Sequence, residues 1–281
     1  TNAAGSASAL AEGVGPVTDD QHMGSVVFLH GFEKPSTDAN WATEESPYAL
    51  AGTGGSGSIL PTQPGIIGNG KLTRPSGSPL GPNWGTSNPA LFNFGSAPFT
   101  VEFAFRSDAA TGSPHWLLGQ YNIVGGQRGW GLLASSGLLQ FYTSPDGTAN
   151  ASRVSYQIPN YTAGTTYRVA VTNDGTTYRL FLDGALVASA ANPGAIFAST
   201  APFTLGHVLN GTSNNGSWSG SIDEVRITNG IARYIAAYTP SLLPFPRPLN
   251  NGPAISANSM IALNASTGEM ILGKAPDTLR V

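Results

Sequence analysis

The sequence predicts an all-β protein made of two stacked antiparallel sheets, and three observations predict it. Gly (36) and Pro (21) supply about a fifth of the 281 residues, while the helix formers Glu, Lys and Gln are scarce; many turns joining short strands give that composition. Apolar residues recur at every second position, as in Val101, Phe103 and Phe105 set against Thr100, Glu102, Ala104 and Arg106. That period of two marks a strand with one buried face. Asp-Gly pairs at 174–175 and 183–184 separate further alternating runs, and Asp-Gly suits the primed hairpin turns that need positive φ.

Three zones follow along the chain. Residues 1–23 are small, polar and patternless and read as an N-terminal arm. Residues 24–245 carry the strand signals, at 25–30, 100–106, 116–120, 130–134, 138–143, 153–158, 167–172, 178–182, 186–187, 203–207 and 221–228. The Gly-rich stretch 52–58 reads as a flexible loop, lacking the Lys and the strand-to-helix setting of a phosphate-binding loop. Residues 246–281 open on the Pro-rich Phe245-Pro246-Arg247-Pro248 and then form two short strands around Ser266-Thr267-Gly268. Such a hairpin is marginal alone in water, so both extensions are expected to lie against a partner.

Composition narrows the function classes. Hydrophobic residues at 40% are enough for a substantial core, and charged residues at 10% are too few for the highly charged kind of disorder. The net charge is −3 with no Lys/Arg block, so nucleic acid is not an expected partner. Without cysteine, disulfides and thiolate metal sites are excluded. Residues 1–20 lack a basic stretch followed by an apolar one, and no run approaches the roughly 20 apolar residues of a membrane helix. Neither a signal peptide nor a membrane span is expected.

The order Ser25–His30, a long polar Gly-rich stretch, then Phe99–Phe105 resembles the opening of laminin-G-like jelly rolls. The run Tyr167–Gly184 is similar to that family's central hairpin. Gly220–Tyr234, followed by Tyr238-Thr239-Pro240, looks like the closing strand and exit turn of the laminin-G-like modules of tailed-phage virion proteins and bacterial surface proteins. The resemblance covers about residues 24–245 and implies a laminin-G/concanavalin A-like jelly-roll sandwich of six or seven strands per sheet. The fold hosts lectins, adhesion modules and glycanases alike, so it implies no single activity.

A retaining glycanase holds two carboxylates roughly 5–5.5 Å apart, and the family-16 hydrolases carry theirs as Glu-x-Asp-x-x-Glu on one strand. That pattern is absent, and the one acidic pair on a firm strand, Asp223-Glu224, should point to opposite faces. No catalytic residue is assigned. Asp223, sharing a face with Val225 and Ile227, is expected to be buried and to pin a neighbouring loop, with a metal-ligand role as the alternative. Glu224 and Arg226 are expected to form an outward surface pair. Asp146 and Asp174 are weak calcium candidates, since both already serve as turn formers; otherwise no cofactor is expected. The four histidines lack zinc-ligand spacing.

Loop aromatics remain: Trp84, Trp116, Tyr121, Trp130, Tyr142 and Trp218. Sugar rings pack on aromatic faces while amides bond their hydroxyls. The carbohydrate-binding candidates are accordingly Trp218, Asn210, Asn214, Trp84 and Tyr121, with inward packing as the competing reading for Trp218. The expected function is a non-enzymatic virion structural protein. It is most readily a capsid-decoration protein, anchored to other virion proteins through residues 1–23 and 246–281 and assembling as a homo-oligomer. The alternative is a tail-fibre adhesin recognising host glycan, and a secreted glycanase comes third. The expected location is the virion surface.

Overall fold

A computed structural model of the chain describes residues 20–53, 60–62, 64–74, 82–108, 115–211, 213–215, 219–248, 261–263 and 270–273. The chain divides into two compact units, Thr1–Pro246 and Arg247–Val281. Among the described residues there is no α-helix, only 3₁₀ turns at Met23–Ser25 and Pro89–Phe92.

The larger unit is a two-sheet sandwich. Its first sheet contains β1 (Val26–His30), β2 (Leu60–Thr62), β3 (Lys71–Arg74), β5 (Phe99–Ser107), β10 (Thr166–Asn173), β11 (Thr177–Leu182), β12 (Ala185–Ala191) and β16 (Gly220–Asn229). The order is β12-β11-β10-β5-β16-β3-β2, and β16 pairs along one edge with β3 through its start and with β1 through its end. The second sheet contains β4 (Asn83–Trp84), β6 (His115–Asn122), β7 (Gln127–Ser135), β8 (Leu138–Thr143), β9 (Ala151–Gln157), β13 (Phe203–Leu205), β14 (Val208–Asn210) and β15 (Ser213–Asn215). It runs β15-β14-β6-β7-β8-β9, with β13 bridging β4 to β6. The short strands β2, β3, β4, β14 and β15 raise each sheet to eight, above the six or seven expected. The second unit contributes the antiparallel hairpin β17 (Ile261–Leu263) with β18 (Met270–Gly273).

In the meander β10-β11-β12, Asp183 (φ +48°) and Gly184 (φ +82°) supply the two positive φ values of a primed turn, whereas at 174–175 only Gly175 (φ +95°) is positive and the connection is the longer 174–176, so the expected primed turn does not form there. Ser136 (φ +48°) and Gly137 (φ +82°) do the same between β7 and β8, without an Asp-Gly signal. Between the sheets lies an aromatic core in which Phe94 stacks on Phe99 at 4.1 Å and on Trp130 at 5.0 Å. Trp130 is fully buried and donates its indole N–H to the Phe92 carbonyl at 2.9 Å.

Asp20 belongs to this packed unit although the sequence places it in the arm. Its carboxylate meets Arg226 at 3.0 Å and Arg233 at 2.9 Å.

Candidate functional site

The outer face of the first sheet is sealed. On β16 a bulge between Asp223 and Arg226 inserts Glu224 at φ +47°, which shifts the alternation that the sequence suggested. Ile222, Val225 and Ile227 join the core. Asp223 pairs with Ala104 and Arg226 with Glu102, so these residues share the opposite, outer face. Asp223 is therefore buried away from Val225 and Ile227, beneath the loop 64–70, where Oδ2 accepts the N–H groups of Ile66 and Ile67, both at 2.8 Å. Nor do Glu224 and Arg226 form an exposed pair. Arg226 donates to Glu102 at 2.8 Å and to Asp20 at 3.0 Å, and it lies 3.8 Å from the Phe245 ring centre. Glu224 Oε2 accepts the Phe245 N–H at 2.7 Å.

The cover here is the exit segment 231–246. Tyr234 and Tyr238 stack at 3.6 Å, Tyr234 donates to Glu102 at 2.8 Å, and Arg233 is bidentate to Asp20. Burial, and then the Glu102 charge, push both tyrosine hydroxyls far above their ordinary pKa. A cavity of about 330 Å³ remains beneath the segment, lined by Glu102, Arg168, Glu224, Tyr238 and Phe245 among others. The Glu102–Arg226 pair and the tyrosine stack in its wall satisfy one another in latching the segment down, so we read this place as closure.

The outer face of the second sheet has a different chemistry. None of its eight strands carries an Asp or Glu; every acidic strand residue of the sandwich (Glu102, Asp223, Glu224) is in the first. A separate aromatic cluster lies here. Trp116 is 4.9 Å from Tyr121 and 5.8 Å from Tyr142, with Leu133 and Val208 packed beside them. Gly131 makes room for it, because a Cβ there would fall 2.7 Å from the Trp116 ring. Tyr121 donates its hydroxyl to Asn150 Oδ1 at 2.7 Å, and burial raises its pKa.

Asn150 also lines a groove of about 540 Å³ between the β8–β9 loop and the β12–β13 loop, together with Pro145, Arg153, Pro193 and neighbours. The first loop is shaped by Asp146, whose Oδ1 accepts from Ser144 Oγ and from the N–H groups of Thr148 and Ala149. Those N–H bonds hold its pKa down to about 2.

Residues 82–232, more than half of the chain, match the laminin-G-type family described as the concanavalin A-like lectin/glucanases superfamily. The chain belongs to that superfamily. Solved structures of similar fold include the receptor-binding domain of botulinum neurotoxin D, with TM-score 0.54 at 13% identity over 75% of this chain and 50% of that one. The binding domain of Paraclostridial Mosquitocidal Protein 1 gives 0.53 at 14% over 76% and 51%. A botulinum neurotoxin type C structure gives 0.50 at 14% over 75% and 49%. The chain spans about half the length of these structures, and at such identity the likeness is one of fold. No curated protein sequence matches it.

Within this concanavalin A-like jelly roll the predicted site residues separate. Trp84 is no ligand platform: it is fully buried in the core, its indole N–H bonded to the Ala42 carbonyl at 2.7 Å. Tyr121 is 1% exposed and presents no free ring face either, although it buttresses the cluster. Asn210 is exposed on β14, two residues beyond Val208 and on the same side of the strand. Asn214 pairs with Leu209 through its backbone; its side chain, and the whole of Trp218, lie outside the described residues. Asp174 bonds Thr176 and Thr177 and pairs with Arg179 at 2.7 Å, and the Thr176 hydroxyl bond, ahead of the Arg179 contact, holds its pKa well down. Like Asp146 it is occupied by its own turn. Among the described residues no group of three or more His, Cys, Asp or Glu could hold a metal ion, and no helix is long and apolar enough to cross a membrane. Tyr142 and Trp116 were legible as aromatics. Asn150 and Arg153 were not singled out, and the signal for them was their place directly after the Ser144-Pro145-Asp146-Gly147 turn.

Proposed function

We propose that the protein is a non-catalytic carbohydrate-binding module of the receptor-recognition kind. It takes its glycan at the end of the second sheet, along the groove beside the Trp116–Tyr121–Tyr142 cluster. The observation that carries this reading is the meeting of a rigid aromatic cluster, an amide (Asn150) and an open groove on a sheet without carboxylates. The Tyr142 ring, the partly exposed aromatic of the cluster, together with a few placed polar groups suits a saccharide, whereas glycan hydrolysis by the usual route needs two acids flanking the bond. Among proteins of similar fold, cell entry of botulinum neurotoxin type C depends on interaction with two ganglioside molecules, a function of the same class.

The reading extends to a virion surface, with residues 1–23 and 246–281 as the anchor. Its support is the sequence resemblance together with the β17–β18 hairpin, which is too small to be stable alone. Of the virion roles, an adhesin fits the open groove better than a decoration protein does.

The test is a glycan array probed with the full chain and with Tyr142→Ala. Binding to at least one glycan class is expected, weakened about tenfold or more in the variant, with no reducing sugar released. A silent wild type overturns the proposal.

A further inference from the structure

We infer that the glycan is acidic: a saccharide bearing a carboxylate, which Arg153 holds in the groove. This rests on the reading above and names its ligand class. Among the described residues Arg153 is the one charged residue lining the groove. Its Nε donates to Thr143 Oγ1 at 2.5 Å, which restrains the guanidinium. Among the described residues its terminal nitrogens have no acceptor, and no carboxylate pairs with it. A half-buried guanidinium without a counterion is a standing donor for a planar anion, since its forked N–H groups match a carboxylate two-for-two.

The surrounding charges do not quench it. Asp146 is the nearest acid in the sequence and is ionised, but its Oδ1 is occupied by three donors of its own turn. Behind that turn Arg128 donates Nη1 to the Thr148 carbonyl. Asp174 is neutralised by Arg179. Around the groove three arginines (Arg128, Arg153 and Arg179) thus stand against two aspartates (Asp146 and Asp174), while the protein as a whole is at −3. Asn150, on the same wall, supplies amide donors for hydroxyls.

The experiment uses the full chain on an array of paired glycans. Each sialylated or uronic-acid-terminated oligosaccharide stands beside its neutral parent, desialylated or carboxyl-reduced, and sulfated sugars serve as a charge-only control. Acid-bearing members should bind, their neutral parents at least about tenfold more weakly, and added salt should weaken the acidic members selectively. Arg153→Gln should abolish the preference for acid with its melting temperature close to the wild type, while Arg153→Lys keeps part of it, having the charge without the fork. Equal binding of acids and parents overturns this inference but leaves the module a lectin. Preference for sulfated over carboxylated sugars, or unchanged preference in Arg153→Gln, overturns it too. Silence of the whole array removes both readings.

Discussion

Asp223 shows how one extra residue redirects a carboxylate. Its burial was legible from the apolar residues that follow it, but its direction was not. Simple alternation placed it with Val225 and Ile227, and the bulge at Glu224 turned it outward beneath the loop 64–70. A bulge has no alternation of its own to read. Burial, reinforced by the neighbouring Glu224 charge, pushes the Asp223 carboxyl up to about 8, against the opposing bonds from Ile67, Ile66 and Glu224. Because the folded value exceeds the unfolded one, the native state holds the extra proton. The stability linked to it is full below about pH 4 and is lost as pH rises through about 8. Denaturant unfolding at pH 5, 7 and 9 should therefore show wild-type stability declining by more than that of Asp223→Ala. The variant should itself lose about 1–3 kcal/mol at pH 5, because Ile66 and Ile67 are left with unbonded N–H groups. Parallel pH profiles in the two proteins would contradict the assignment.

At the scale of elements, the strands were readable and their outer coverings were not. The alternation of Val101, Phe103 and Phe105 fixes which side of β5 faces the core, yet it also makes Glu102 look solvent-facing. The exit segment 231–246 reverses that by lying across the sheet, so Glu102 and Arg226 become a buried network with Asp20, Arg233 and Tyr234. Nothing in a local period announces a segment that returns from farther along the chain. Trp84 and Tyr121 failed as platforms for a related reason: the short strands β4, which carries Trp84, and β14, whose Val208 packs beside Tyr121, are too brief for a periodic signal. The network makes the exit segment sensitive to single changes. Arg226→Ala leaves Glu102 with only the more distant Arg233, at 3.8 Å, and Asp20 with Arg233 alone in a dry site, and should cost about 3–5 kcal/mol. The check is the unfolding midpoint together with proteolysis at Leu242 and Leu243, which are 74% and 73% exposed. Faster cleavage there is expected, and an unchanged rate and midpoint would show the latch to be idle.

For the whole molecule, the two sheets divide the work. The first carries the acidic strand residues and spends its outer face on closure, whereas the second has no Asp or Glu in its strands and keeps its end open beside the groove. The closure reaches past the boundary that sequence composition suggests. Residues 1–23 look uniformly polar, and a boundary at residue 24 keeps all of β1 intact. Yet Asp20 clamps both Arg226 and Arg233, with burial opposing its charge and the Arg233 bond prevailing to hold its pKa down. The folded unit therefore reaches back at least to Asp20. A chain trimmed to residues 20–248 should unfold at nearly the midpoint of the full chain, because every bond of the latch is retained. One trimmed to 24–248 should lose roughly 3 kcal/mol, the penalty for leaving buried arginines short of a carboxylate. Asp20→Ala in the full chain should reproduce that loss, which separates the carboxylate from the other residues removed. Equal midpoints for the two trimmed chains would mean that Asp20 is a bystander and that the boundary read from composition is the true one.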